Sequence, residues 1–333
     1  CSYGPGRYDP TYEFKGIDYP IEYARWTLKR NFEAVLKVLS KDLIQVDKLI
    51  THRFDFLNAS EAYKLILTSK DCLGILLEYS KEKIKFETTI IPEKRVLNPN
   101  SGSNLFSVIG SGNYSSRILI PTFSKAGAKF KYISSPGGID LVRVARKYNF
   151  FAAITNNNDI FQDNESDNII IATRHDSHSE LIIKALKSKK NVFVEKPLCL
   201  SSEELDDIKK VYTGENILMV GFNRRFSPFI KKIKNFLKEI QEPKSFIYTC
   251  NAGFIPKEHW IHDPNVGGGR LIGEACHFVD LLRFLDGSEI ENINVNQIIN
   301  KNTLSDTFTL NLIFKSGSIG PIHYFSNGHK SFK

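Results

Sequence analysis

The sequence predicts an α/β protein: a Rossmann-type doubly wound parallel sheet, followed by an α+β domain on an open mixed or antiparallel sheet. Three observations predict this. Between residues 104 and 222, short apolar runs alternate with amphipathic segments. The first of these runs leads straight into a glycine loop, "GSGNYSS". Beyond residue 228 the alternation gives way to β-rich stretches.

The elements follow in order. "NLFSVIG" (104–110) reads as a strand, and "NYSSRILIPTFSKAG" (113–127) as a helix with a kink expected at Pro121. "KFKYIS" (129–134) is a second strand and "GIDLVRVARKYN" (138–149) a helix. "NIIIAT" (168–173), "NVFVE" (191–195) and "ILMVGF" (217–222) are further strands. The helices between them are "HSELIIKALKSKK" and "SEELDDIKKVY", the second opened by Ser201 and Glu204 at capping-box spacing. Then come a helix, "SPFIKKIKNFLKEI", a strand over 245–254 and a helix over 270–285. "NINVNQII" and "TFTLNLIFKSGSIGPIHYFSNG" are β-rich, with Gly317 at a hairpin turn.

Bulk properties exclude several classes. The 333 residues are enough for two or three domains, and 41% hydrophobic with 25% charged residues is ordinary for a globular chain. No apolar run reaches the ~18 residues of a membrane span, so no membrane partner is expected. The opening "CSYGPGRYDP" has no signal-peptide core and no initiator Met, so the start is expected upstream. The net charge of +8 is scattered. Its densest groups, "KSKK" (187–190) and "KKIK" (231–234), read as solvated helix faces rather than a nucleic-acid surface. Five dispersed cysteines without metal spacing point to free thiols in a cytoplasmic protein, with no metal site.

The glycine loop is the first functional signal. Gly110 permits the tight turn, and Gly112 lets backbone approach a pyrophosphate held at the following helix N-terminus, near Asn113 and Tyr114. Ser115 stands at the third position, where Gly or Ala is usual. The end of the second strand, "ISSPGG", carries Ser134 and no acid for the ribose hydroxyls. Arg143 or Arg146 would suit a 2′-phosphate, so the cofactor is NAD or NADP.

"VIGSGNYSS", "IIIATRHDSH", "VFVEKPL", "GFNRRFSP" and "GGGRLIGEACHFVDLLRFLDG" occur in this order. Together they resemble the Gfo/Idh/MocA family of oxidoreductases over residues 104–333. The resemblance implies hydride transfer between NAD(P) and a sugar-, polyol- or nucleotide-sugar-like hydroxyl or ketone, in a homo-oligomer formed through the C-terminal sheet. It makes Lys196 the catalytic lysine, with a cis Lys196–Pro197 bond, and His277 the catalytic histidine; Glu195, beside Lys196, would orient the nicotinamide side or balance the charge. Thr173 and His178 then lie near the nicotinamide ribose. Asn223, Arg224, His259 and Trp260 are candidates for the substrate side.

The residues agree with that placement. A ligand of a doubly wound sheet sits off the carboxyl ends of its strands, where Glu195 and Lys196 fall. An ammonium there can exchange the proton that accompanies hydride transfer. In the 270–285 helix, Leu271, Ala275, Phe278, Leu282 and Leu285 form a core stripe. At about 100° per residue, Gly273, His277 and Asp280 share the opposite face. The family commonly has Asp at the position of Gly273; Glu274, about 60° around from His277, is the candidate substitute. A non-catalytic dinucleotide-binding scaffold is the alternative reading.

The first hundred residues carry a second resemblance. "GIDYPIEYARWTLKRNFEAVLKVL" followed by "LITHRFDFLNASEAYKLI" resembles the C-terminal tail of a zinc-type medium-chain alcohol dehydrogenase. The expected organisation is this α/β remnant at 1–80, a linker at 81–103, the NAD(P)-binding domain at 104–227 and the substrate domain at 228–333. Both outer modules are expected to be incomplete pieces of a bi-domain oxidoreductase.

Overall fold

The computed structural model describes residues 4–79, 89–91, 104–136, 138–298 and 306–329. By internal contacts the chain divides into two units, Cys1–Phe86 and Glu87–Lys333. Of the expected junction, 81–103, only Thr89 to Ile91 lie among the described residues, and Thr89–Ile90 form a strand.

The first unit holds α1 (Pro10–Lys15), α2 (Leu28–Leu39), β1 (Ile50–Asp55), α3 (Ala59–Thr68) and β2 (Gly74–Glu78). Asp9 caps α1 by accepting from the Thr11 N–H, and Pro10 follows at the first position, where its missing donor costs nothing. β1 and β2 pair in parallel, with α3 between them in the chain. Burial is sparse. Ala62 and Thr27 are buried, whereas Phe32, Val35 and Leu36 of α2 stay exposed.

The second unit opens with a seven-stranded sheet. Its strands are β3 (Thr89–Ile90), β4 (Leu105–Ile109), β5 (Lys129–Ser134), β6 (Ala152–Ile154), β7 (Asn168–Ile171), β8 (Asn191–Val194) and β9 (Leu218–Val220). The spatial order is β3-β6-β5-β4-β7-β8-β9. All pairs are parallel except β3 with β6 at the edge. The chain winds outward from β4 in one direction, then returns to β7 and winds in the other. The crevice between the ends of β4 and β7 is therefore the switch point where such folds bind ligands. Helices α4 (Ile120–Lys125), α5 (Gly138–Lys147), α6 (Asn158–Phe161), α7 (His178–Lys187) and α8 (Ser202–Val211) connect the strands. Apolar layers cover both sheet faces, one around Ile169, Ile171 and Ile182, the other around Ile133, Phe150 and Ile170. α8 carries the capping box at Ser201 and Glu204.

The chain then forms α9 (Pro228–Leu237), β10 (Tyr248–Asn251), α10 (Cys276–Asp286), β11 (Ile290–Gln297), β12 (Phe308–Phe314) and β13 (Ile319–Phe325). These strands make a mixed sheet of order β10-β13-β12-β11. Gly317, at φ 84°, turns the chain between β12 and β13. Leu310, Leu312, Phe314, Ile322 and Tyr324 pack under Phe278, Leu282 and Leu285 of α10. Ala275 is buried in the same cluster and Leu271 packs against it.

Several expectations change. The expected helix over 113–127 forms as one helical run over 113–125, widened at Ser115–Leu119 into a π turn in which the Ile120 N–H reaches Ser115 O, with Pro121 in the first turn of α4. Proline has no N–H and its ring crowds the preceding turn, so the wider turn relieves the kink expected there. A second π turn, Leu271–Ala275, precedes α10. It adds a residue to the turn, so the 100° projection does not carry from Gly273 to Asp280. The short buried β6 and α6 carry no period and escape a sequence reading. The strand expected over 245–254 is confined to Tyr248–Asn251. Two lysines expected on solvated faces have structural roles instead. Lys190 is 4% exposed and donates to Ser166 O, and Lys234 donates to Leu285 O at 3.0 Å near the end of α10.

Candidate active site

A cavity of about 1240 Å³ lies at the switch point of the second unit. Along one side run Gly110, Gly112, Asn113, Tyr114 and Ser115. Gly110 has φ 105°, and a Cβ there would stand 2.4 Å from Ala172 O. The β4 and β7 loops thus meet too closely for any side chain. Gly112 has nothing within 4 Å of its would-be Cβ, so its open side borders free space. The Ser115 hydroxyl is buried without a partner. An open backbone loop above an unsatisfied hydroxyl fits a dinucleotide pyrophosphate.

Ser134 and Asn157 line the cavity at the ends of β5 and β6, and the Ser134 hydroxyl donates to Asn157 Oδ1. Thr173 lines the cavity after β7 and accepts from the Ser177 hydroxyl at 2.6 Å. His178 is fully buried and outside the lining. Its Nδ1–H donates to Pro197 O at 2.7 Å, which ties the start of α7 to the chain after β8.

Glu195 and Lys196 leave the end of β8 into the cavity wall, and the Lys196–Pro197 bond is cis. Lys196 Nζ donates to Gly273 O at 2.6 Å. Burial pushes the Glu195 carboxyl up, against the opposing pull of Lys196. Its Oε1 lies 2.7 Å from where a Cβ of Gly221 would be, so the end of β9 must be glycine for this carboxylate to fit. Asn223 joins the lining and donates to the Tyr114 hydroxyl at 3.1 Å.

His277 reaches the cavity from α10. Its Nδ1 is buried with no partner, since the residue one turn earlier is a glycine. Burial first, then Lys196 and Arg224, push its imidazole down to about 4, so it is neutral at pH 7. Trp260 also lines the cavity.

Besides His178, four candidates lie away from the lining. Glu274 is engaged by Arg270, with its oxygens 3.2 and 3.3 Å from the guanidinium nitrogens, and it accepts from the Tyr324 hydroxyl. Asp280, 7% exposed, is held in a fork by Nε and Nη2 of Arg225. Arg224 lies 4.8 Å over the Phe278 ring. His259 accepts from the Ile261 N–H at 3.3 Å, which caps a short helical turn.

The structure adds His175 and Arg174. His175 is 6% exposed, lines the cavity and donates from Nδ1 to Gly267 O at 2.9 Å. Burial leads in pushing its imidazole down to about 4. With Ile261 it fills the space beside Gly273: a Cβ at 273 would stand 2.7 Å from Ile261 Cδ1 and 2.9 Å from His175 Cε1. A carboxylate side chain at this position would require Ile261 and His175 to shift. The run "TRHDSH" held the signal, but its two histidines were distinguishable only once their partners were visible.

Residues 105–222 match the family profile described as "Oxidoreductase family, NAD-binding Rossmann fold" (GFO_IDH_MocA). That segment is similar to the Rossmann domains of the Gfo/Idh/MocA family. Myo-inositol 2-dehydrogenase of Thermotoga maritima is 32% identical over 173 residues, 49% of this chain and 51% of that protein. scyllo-Inositol 2-dehydrogenase (NAD(+)) of Bacillus subtilis is 31% identical over 221 residues, 63% of each chain. The chain thus spans about half the length of the first of these relatives. Among solved structures, a probable dehydrogenase from Thermotoga maritima superposes with a TM-score of 0.59 at 27% identity, covering 67% of this chain and 69% of that one. Levoglucosan dehydrogenase in complex with NADH and levoglucosan shares the fold at 24% identity, with a TM-score of 0.61 over 68% and 67% of the two chains.

Proposed function

We propose that the second unit is an NAD(P)-dependent oxidoreductase acting on a sugar- or polyol-like alcohol or ketone. One observation carries the reading: Lys196, His277 and the Gly110–Gly112 loop line a single cavity at the switch point. A bound nicotinamide there would supply the hydride acceptor or donor. Lys196 exchanges the proton of the substrate oxygen, and its bond to Gly273 O fixes the ammonium. His277, neutral and unpartnered at Nδ1, hydrogen-bonds the substrate and orients the reacting carbon. Glu195 flanks Lys196 on the cofactor side. The names of the inositol dehydrogenase relatives support a polyol-like substrate.

The test is Lys196→Met in the intact protein, followed by nicotinamide absorbance and by cofactor titration. Turnover should fall about 10²–10⁴-fold, the worth of a positioned acid or base, with cofactor affinity kept. Full activity in the variant would refute the role. The scaffold reading is favoured by one observation, the glycine at 273 that leaves His277 without a carboxylate partner. It predicts dinucleotide binding with no absorbance change on any alcohol or ketone.

The wider readings belong here too. The domain limits 104–227 and 228–333 remain our reading, supported by the separate sheets that hold β4 to β9 and β10 to β13. Exposed Ile293 and Val295 on β11 support pairing of copies through the second sheet. Residues 1–80 as a medium-chain dehydrogenase tail are supported by the parallel β1–α3–β2 unit and the exposed apolar residues of α2. No described helix is long and apolar enough to cross a membrane. The free thiols of Cys72, Cys199 and Cys276 support a cytoplasmic setting.

A further inference from the structure

The charge lining the substrate side of the cavity narrows the substrate class, on the reading that this is an oxidoreductase site. A neutral polyol offers many hydroxyl donors, so a site built for it needs acceptors, above all carboxylates. Those on the α10 side of the site are committed elsewhere. Asp280 is held by Arg225, and Glu274 by Arg270 and Tyr324. Position 273 is a glycine whose side-chain space is filled by His175 and Ile261. Of the lining acids, Glu180 pairs with Lys184, Glu195 is packed against Gly221, and Asp176 is exposed.

The cations are not committed in this way. Arg174 lines the cavity and makes no ion pair among the described residues. Its guanidinium lies 5.8 Å from the Trp260 ring centroid. Lys196 is bonded to a neutral carbonyl. The charges acting on the His277 imidazole are those of Lys196 and Arg224. Guanidinium and ammonium groups only donate, so they leave an anionic oxygen as the natural partner.

We infer that the substrate is an anionic sugar, whose carboxylate or phosphoryl oxygens bind Arg174 while its ring lies against Trp260 and its reacting hydroxyl meets Lys196. The aromatic face accommodates the apolar side of a pyranose, and the guanidinium beside it holds the charged group. His277 and Asn223 are left for the uncharged hydroxyls.

The experiment is calorimetric titration of the intact chain, with and without NADH, using glucuronate, glucose 6-phosphate and glucose as probes. One of the two anions should bind at least about tenfold more tightly than glucose, and the advantage should shrink as salt screens the contact. Which anion wins identifies the carboxylate or the phosphate as the recognised group. Arg174→Gln should bring its affinity to within about twofold of glucose. Glucose binding as tightly as both anions, or an anion preference that survives Arg174→Gln, would overturn the inference. Titration with NADH and NADPH in the same series separates the two claims: failure of both to bind removes the oxidoreductase reading and this inference with it. Binding of either without an anion preference removes only the latter.

Discussion

Acidification should destabilise the second unit through His175 and His277. Both imidazoles are pushed down to about 4, in each case first by burial. In an unfolded chain a histidine titrates near 6.5. The folded value is the lower one, so below pH ~6.5 the unfolded chain takes up a proton that the folded chain refuses. Stability is therefore full above that pH and is lost as the pH falls toward 4. A gap of about 2.5 units corresponds to about 3 kcal/mol per histidine, of which about 2 kcal/mol is lost between pH 7 and 5. Partial contact with solvent roughly halves this, leaving about 2 kcal/mol for the pair over that interval. Glu195 has the opposite sign, because burial raises its carboxyl and acid relieves that cost. The histidine contribution is thus isolated only by comparison with a His175→Gln/His277→Gln double variant. Trp260 touches His175, with ring centroids 4.9 Å apart, and so reports on this region. In a Trp26→Phe background it is the only tryptophan, since the chain has two. Urea unfolding followed by its fluorescence at pH 7, 6 and 5 should show the loss in the parent and a smaller loss in the double variant. Equal losses in both, or imidazole NMR signals titrating near 6.5, would refute the assignment.

Three further outcomes follow from the packing. Gly110→Ala should cost about 2–4 kcal/mol and abolish dinucleotide binding, because its Cβ meets Ala172 O at 2.4 Å and its φ of 105° is unfavourable for any side chain; denaturation and NADH fluorescence measure the two effects. Glu274→Gln should lower the melting temperature, by leaving buried Arg270 without its counter-charge, while the pH profile of turnover stays in place. A shifted profile would return Glu274 to the reacting centre. Asp280→Leu should destabilise by about 1–3 kcal/mol through loss of the fork to Arg225, with little change in the Michaelis constant; a large rise in that constant would mean that Asp280 meets substrate.

Much of the architecture was legible because it is written in local pattern. The five parallel strands β4, β5, β7, β8 and β9 are apolar runs bounded by turns, and the glycine loop needs its small residues wherever it occurs. The capping box of α8 and the turn at Gly317 are equally local. Glu195 and Lys196 could be placed at a strand end from the run "NVFVEKPL" alone. What the sequence did not hold was the outcome of competition between distant groups. Glu274 lies next to the expected site in sequence, yet Arg270 and Tyr324 claim it, and Tyr324 comes from β13, fifty residues away. Asp280 lies one turn from His277 on α10, as the period predicts, but Arg225 takes the carboxylate away from the cavity. His175 and His178 are three residues apart in one loop. Only packing makes one a cavity wall beside Gly273 and the other a buried tie to Pro197. A period fixes which residues share a helix face. Which charge is left free to meet a ligand depends on every other charge that the fold brings within reach, and that is decided in three dimensions.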